Sequence, residues 1–158
     1  MSDLVMNYLL PVFVAFMGNV GFALIFNIHG WNIVYASLGG ALAWLTYLLS
    51  APILQSDISQ TFLAGIVLSI FCEIIARVRK APVTGFLLIS IFPLVPGAGI
   101  YHTMEYAIRG DIDTFLVSLL HTIGVAGALA LGVTIVSAVV RLLKPAPMVR
   151  PDYKEVRK

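Results

Sequence analysis

The stretch FPLVPGAGIY, Phe92 to Tyr101, decides the fold of this chain because it places two prolines and two glycines inside an apolar segment. Proline lacks a backbone N–H and clashes with the preceding helical turn, so Pro93 and Pro96 predict a kink or a break in a helix. Gly97 and Gly99 permit backbone angles that other residues avoid. The stretch therefore predicts two half-helices that meet at a break.

The composition of the chain places this break in a membrane. Of its 158 residues, 59% are hydrophobic and 11% are charged, and the mean hydropathy is +0.96. A soluble domain carries about 25% charged residues, so the composition predicts an integral membrane protein in contact with lipid. No basic patch with interleaved aromatic residues is present, which argues against a nucleic-acid partner.

Five segments are apolar over roughly the 20 residues that a spanning helix needs. They are Leu4 to Phe26, Trp31 to Leu49, Ile58 to Ala76, a fourth that starts near Val83 and runs through the break, and Thr114 to Leu143. We therefore predict an all-α integral membrane protein with about five transmembrane helices, the fourth broken at the Pro-Gly motif. A transmembrane module is predicted over residues 1–144, and a charged cytoplasmic tail over residues 145–158.

The positions of Lys and Arg predict the orientation, because cytoplasmic loops of membrane proteins are enriched in these residues. With five spans, nine of the ten basic residues fall on one side, and only Arg109 falls on the other. The pattern predicts an N-terminus outside and a C-terminus in the cytoplasm. The nine residues are Arg77, Arg79, Lys80, Arg141, Lys144, Arg150, Lys154, Arg157 and Lys158.

A break at membrane depth is tolerated only against other protein or a watery cavity, because every backbone polar group must be satisfied. Transporters bind substrates at such breaks. The second half-helix, about Ile100 to Arg109, would offer free N–H groups to a substrate carboxylate. The alternative is a proline kink that only shapes packing. The candidate substrate-binding residues are Pro96, Gly97, Ala98, Gly99, Ile100 and Tyr101.

Ionisable residues inside a membrane are costly and usually functional. His102, Glu105 and Arg109 share one face of the predicted half-helix, and His121 falls about two turns into the fifth span. These four are candidates for charge or proton coupling, because a His or a Glu can titrate under a proton gradient. The alternatives are a solvated helix end with an ordinary Glu105–Arg109 pair, and an interhelical hydrogen bond at His121.

No enzyme motif is present in the sequence, which has no HExxH, no GxSxG and no paired cysteines. The three histidines are too scattered to predict a metal site, so we expect no catalytic residue, no metal and no cofactor. Small residues recur in the spans, which predicts close helix packing and leaves a homo-oligomer open. They include Gly18, Gly21, Gly39, Gly40, Ala41, Ala43, Gly124, Gly127, Ala128 and Gly132.

The run GFLLISIFPLVPGAGIYHTMEYAIRGD, Gly85 to Asp111, resembles the signature of the threonine/serine exporter (ThrE) family, in its small-subunit, YjjB-like module. A weaker match covers Gly21 to Ile28 and Gly39 to Leu49, with His29 where the family often has a proline. The resemblance covers most of the chain except the tail. The matching residues are Pro82, Phe86, Pro93, Leu94, Val95, Pro96, Gly97, Tyr101, Gly110 and Asp111.

The resemblance implies a multi-pass protein of the bacterial cytoplasmic (inner) membrane that exports small carboxylate metabolites. Threonine and serine, or dicarboxylates such as succinate, are the substrates that it implies. It also implies a proton-coupled secondary transporter that acts with a larger, YjjP-like partner subunit. Two alternatives stay open: a non-transporting structural or assembly subunit, and a passive channel.

Overall fold

The computed structural model describes residues 5–143, and this part of the chain is entirely helical apart from short connections. The predicted all-α fold is thereby confirmed. A π-helical turn, Val5–Leu9, leads into the first α-helix. A 3-10 turn, Phe92–Leu94, separates the fourth α-helix from the fifth. The α-helices are α1 (Leu10–Ile25), α2 (Trp31–Ser50), α3 (Asp57–Arg79), α4 (Val83–Ser90), α5 (Gly97–Arg109) and α6 (Ile112–Leu143).

Within the described residues, four helices are long and apolar enough to cross a membrane. The segment Met6–Ile25 and the helices α2, α3 and α6 are these four, and α4 with α5 forms a fifth span if the bent pair is counted as one. The predicted spans are thus present. The start of the predicted first span at Leu4 and the predicted tail at residues 145–158 lie outside the described residues. The orientation of the termini stays a prediction.

The break in the fourth span is wider than the sequence predicted. The first half begins at Val83 as predicted, but the α-helix ends at Ser90 and a 3-10 turn follows, with a bend of 41° between the two halves. Pro93 explains the early end, because its ring has no N–H and excludes the carbonyl of Ile89 from an α-helical bond. The second half begins at Gly97, earlier than the expected Ile100, directly after Pro96.

Helices α3 and α6 form an extensive contact, and small residues allow their backbones to approach closely. A Cβ atom added at Gly132 would lie 2.8 Å from the carbonyl oxygen of Phe62 and 3.2 Å from the amide nitrogen of Ile66. Gly65 faces Leu129 in the same interface. The predicted close packing of the spans is therefore found here.

Helix α2 brings a second small-residue surface against the break. Ser90, the last residue of α4, donates a hydrogen bond from its hydroxyl to the carbonyl of Ala36 over 2.7 Å. A Cβ atom at Gly39 would lie 2.5 Å from that hydroxyl oxygen, and one at Gly40 would overlap the side-chain amide of Asn19 from α1. The glycines thus let α1, α2 and the end of α4 meet without space between them.

The connection between α5 and α6 is a tight turn. Gly110 adopts a left-handed conformation, with φ of 74°, that glycine takes without strain. Asp111 then caps α6, because its carboxylate accepts a hydrogen bond from the Thr114 N–H over 3.2 Å. Hydrogen bonding to the side chain and backbone of Thr114 lowers the pKa of Asp111. The two helices therefore leave the turn as an antiparallel hairpin.

The substitution Gly132→Ala is expected to lower the free energy of unfolding by about 1–3 kcal/mol, because the new methyl group would overlap backbone atoms of α3. Unfolding in mixed micelles, followed by tryptophan fluorescence, measures this change. Gly127→Ala on the same helix is the matched control, since a Cβ atom there meets nothing within 4 Å. Equal stability of the two variants would contradict the assigned α3–α6 contact.

Candidate functional site

A cavity of about 270 Å³ lies against the break. Its wall combines the break itself, residues 93–96, with the first turn of α5 and parts of α2, α3 and α6. The volume is just below the roughly 300–1,000 Å³ of pockets for drug-sized ligands. The cavity therefore has the size for a small metabolite. Pro96, Gly97, Ala98 and Gly99, four of the predicted substrate-binding residues, line it.

The first turn of α5 gives the cavity a wall with partial positive charge. The Ile100 N–H donates to the carbonyl of Pro96 over 3.0 Å, and the Gly97 N–H donates to that of Val95 over 2.7 Å. Among the described residues, the amides of Ala98 and Gly99 have no backbone acceptor. Free N–H groups at a helix start attract anions. A carboxylate in the cavity can accept hydrogen bonds from these two amides.

A carboxylate lies in the wall as well. Asp57, the first residue of α3, places Oδ2 at 3.5 Å from Nε2 of His121, and its Oδ1 accepts a hydrogen bond from the Tyr47 hydroxyl over 3.3 Å. Both Asp57 and His121 are about half exposed. Thr61, one turn further along α3, also lines the cavity and is buried. The cavity thus has an acidic group in addition to the helix start.

Hydroxyl groups fix α5 on α6 and so position its first turn. Thr103 donates to the carbonyl of Gly99 over 2.7 Å, and its Oγ1 lies 2.9 Å from Ser118 Oγ and 3.4 Å from Thr122 Oγ1. Thr122 donates to the carbonyl of Ser118 over 2.7 Å. Because Thr122 follows His121 directly, this network places the start of α5 beside the His121–Asp57 pair.

The other predicted site residues lie outside this cavity. Tyr101 is 66% exposed. Glu105 contacts both His102, at 3.3 Å, and Arg109, at 2.6 Å, so these three form the predicted stripe on an exposed face of α5. Ile100 lines a separate apolar groove between α5 and α6. The structure brings His121 to the cavity and does not bring this stripe there; the functional roles of all these residues stay predictions.

Sequence reasoning missed the acidic group and its neighbours. Asp57, Tyr47, Thr61 and Thr122 are not among the residues that the sequence predicted for the site. A turn of six residues joins α2 to α3, so Tyr47 and Asp57 lie at one end of the bundle. The short turn therefore indicates, from the sequence alone, that Tyr47 and Asp57 lie close together. Nothing in the sequence connects Asp57 with His121, which is 64 positions further along the chain.

The fold and the cavity are those of a multi-span membrane protein with a broken helix, the arrangement in which secondary transporters place their substrate and ion sites. The family model described as "Threonine/Serine exporter, ThrE" matches residues 11–139. The chain belongs to this family of membrane transporters. No curated protein and no solved structure matches the chain.

The substitution Gly99→Ala is expected to loosen α5 from α6, because its methyl group would lie 2.7 Å from Thr122 Oγ1. Overpacking of this kind costs about 1–3 kcal/mol. Trypsin measures the loosening, since Arg109 is the only Lys or Arg between Lys80 and Arg141. We expect cleavage after Arg109 to be at least about fivefold faster, as 1 kcal/mol corresponds to about that factor.

Two further variants test the cause of this loosening. Gly97→Ala should leave the cleavage rate unchanged, because nothing lies within 4 Å of a Cβ atom there. Thr122→Ala combined with Gly99→Ala removes the overlapping hydroxyl, so the double variant should be cleaved more slowly than Gly99→Ala alone. Identical rates for Gly97→Ala and Gly99→Ala would show that the Gly99–Thr122 contact does not hold the hairpin.

Proposed function

We propose that this chain is a subunit of a secondary exporter that carries small carboxylate metabolites, such as threonine and serine or dicarboxylates, out across the bacterial cytoplasmic membrane. The observation that carries the proposal is the small cavity at the break, lined by a helix start and by Asp57 and His121. Family membership supports the transport role. The substrate, the coupling ion and the partner are parts of the proposal.

In this proposal the substrate carboxylate binds at the start of α5. The free amides of Ala98 and Gly99 donate hydrogen bonds to it, and the absence of a side chain at Gly97 leaves room for the approach. Pro96 sets the direction of the first turn, and Ile100 continues it. A backbone site suits a transporter, because it binds the anion without fixing a charged side chain at membrane depth.

Proton coupling is assigned to His121 and the charges near it. His121 is the predicted coupling residue that lines the cavity, and its contact with Asp57 gives a protonated imidazole a carboxylate partner. An imidazole side chain can bind and release a proton. Loading and release of a proton at His121 would therefore change the net charge of the cavity wall during the transport cycle.

The exposed stripe on α5 is assigned to the exit surface and to the larger, YjjP-like partner subunit. Helix α5 has this stripe of His102, Glu105 and Arg109 as well as the exposed Tyr101, and it packs chiefly against α6. A partner that covers this face would place Tyr101 near the departing substrate. Under this assignment the charged stripe changes the electrostatic potential outside the cavity and does not take part in substrate binding within the cavity.

The substitution Gly97→Leu is expected to reduce export to the level of a deletion strain, because the new side chain would fill the cavity and cover the free amides. The chromosomal gene is replaced by the variant, so that any native partner is retained. Extracellular threonine, serine and succinate are then measured over time. Gly18→Leu in α1 is the matched control, since Gly18 also has no atom within 4 Å of a Cβ position and lies outside the cavity.

The outcome separates the alternatives. If Gly97→Leu is present in the membrane at the normal level and exports normally, the cavity of this chain is not the substrate site. If both leucine variants lower the abundance of the complex without a change in substrate preference, the chain is a structural subunit.

The substitution His121→Gln is expected to reduce proton-driven accumulation of substrate in everted vesicles by more than it reduces substrate exchange without a gradient. Glutamine retains hydrogen bonding but cannot carry the proton. His29→Gln, in the loop before α2 and outside the cavity, is the matched control. Equal loss of accumulation and exchange would contradict the coupling role, and transport that a protonophore does not affect would indicate a passive channel.

A further inference from the structure

Among the described residues, Asp57 is the only acidic side chain that lines the cavity, and no Lys or Arg lines it. We propose that Asp57 determines the specificity of this cavity, in that its carboxylate binds the ammonium group of a zwitterionic amino acid. The inference rests on the proposed function, because it concerns the same cavity. Under this inference the cavity selects amino acids over dicarboxylates, two substrate classes that the proposed function does not distinguish.

The contacts of Asp57 leave part of its carboxylate available. The distances of 3.3 Å to the Tyr47 hydroxyl and 3.5 Å to His121 Nε2 are longer than the roughly 2.7–2.9 Å of a strong charge-assisted hydrogen bond. A carboxylate has about four acceptor sites, and half of the Asp57 side chain is exposed. An ammonium group, with three donors, matches these open sites and can replace His121 as the partner.

The wall of the cavity is arranged with two poles of opposite sign. The acidic pole is Asp57, and the opposite pole is formed by the amides of Ala98 and Gly99. Helix α6 lies beside both poles, because its residue His121 contacts Asp57 and the next residue, Thr122, lies against Gly99. An α-amino acid carries its ammonium and carboxylate groups on one carbon atom, so it presents both charges across a short distance.

A buried hydroxyl group completes the wall near the acidic pole. Thr61 is only 2% exposed and lines the cavity one turn after Asp57. A hydroxyl group both donates and accepts hydrogen bonds. Thr61 therefore offers a polar ligand beside Asp57 a further partner, independent of charge.

A dicarboxylate fits this wall poorly. With one carboxylate at the start of α5, its second carboxylate would meet Asp57, and like charges at a few ångströms repel each other. No Lys or Arg of the described wall can neutralise the pair. The cavity should therefore favour threonine and serine over succinate.

The experiment compares uptake of labelled L-threonine and succinate into everted membrane vesicles from strains with chromosomal replacements. Wild type should favour threonine, and Asp57→Asn should lower the threonine-to-succinate ratio at least about tenfold, through loss of a hydrogen-bonded charge partner. The ratio does not depend on how much protein folds. Asp113→Asn, the same change in the first turn of α6 and outside the cavity, should keep the ratio within about twofold.

A second measurement uses wild type alone. Serine should compete with threonine uptake, whereas N-acetyl-L-threonine, which keeps the carboxylate and lacks the ammonium group, should not compete. A wild-type preference for succinate, an unchanged ratio in Asp57→Asn, or equal competition by N-acetyl-L-threonine would overturn the role of Asp57 and leave the transport role standing. If wild-type vesicles take up neither substrate beyond the deletion strain, the proposed function fails as well.

Discussion

The structure depends on one constraint, which is that the backbone polar groups freed by a broken helix inside a membrane need partners. The break satisfies several of them locally. The N–H groups of Leu94 and Val95 donate to Ile91 and Phe92 over 3.0 and 3.2 Å, in 3-10 geometry, and the proline at the centre of this turn has no N–H to satisfy. At the start of α5 the amides of Ala98 and Gly99 have no backbone acceptor among the described residues. The unsatisfied groups thus become the lining of a cavity rather than a defect.

The neighbouring helices are shaped to cover this break. Helix α2 has Gly39 and Gly40 where the end of α4 approaches, and Ser90 binds the backbone of α2 directly. On the other side Phe92 stacks on Phe22 of α1, with ring centroids 3.8 Å apart. These contacts tie the broken segment to the first two helices. Helix α5, in contrast, packs chiefly against α6, so the two halves of the span belong to different parts of the bundle.

The sequence was sufficient for the spans and for the existence of the break, because both follow from local rules on apolar length and on proline. It was less accurate on the ends of the break, since a residue such as Ser90 can stay helical or leave the helix according to what packs on it. Helical spacing placed His102, Glu105 and Arg109 on one face, but spacing alone does not say what that face contacts. Asp57 was missed because its neighbours come from other helices.

The position of the cavity along the helices connects the site with its proposed transport role. Helix α2 has 20 residues and a length of about 30 Å, close to the thickness of the hydrocarbon core. Tyr47 lies about 5 Å from its Ser50 end, which is the outer end in the predicted orientation. Gly39 lies about 12 Å further in, where α2 and α4 are in close contact. Under the proposed transport role, a cavity near one surface, with a dense contact between it and the other surface, would correspond to one end state of alternating access. Access from the other surface would then require the Gly39–Ser90 contact to separate, which would break the hydrogen bond from the Ser90 hydroxyl to the carbonyl of Ala36.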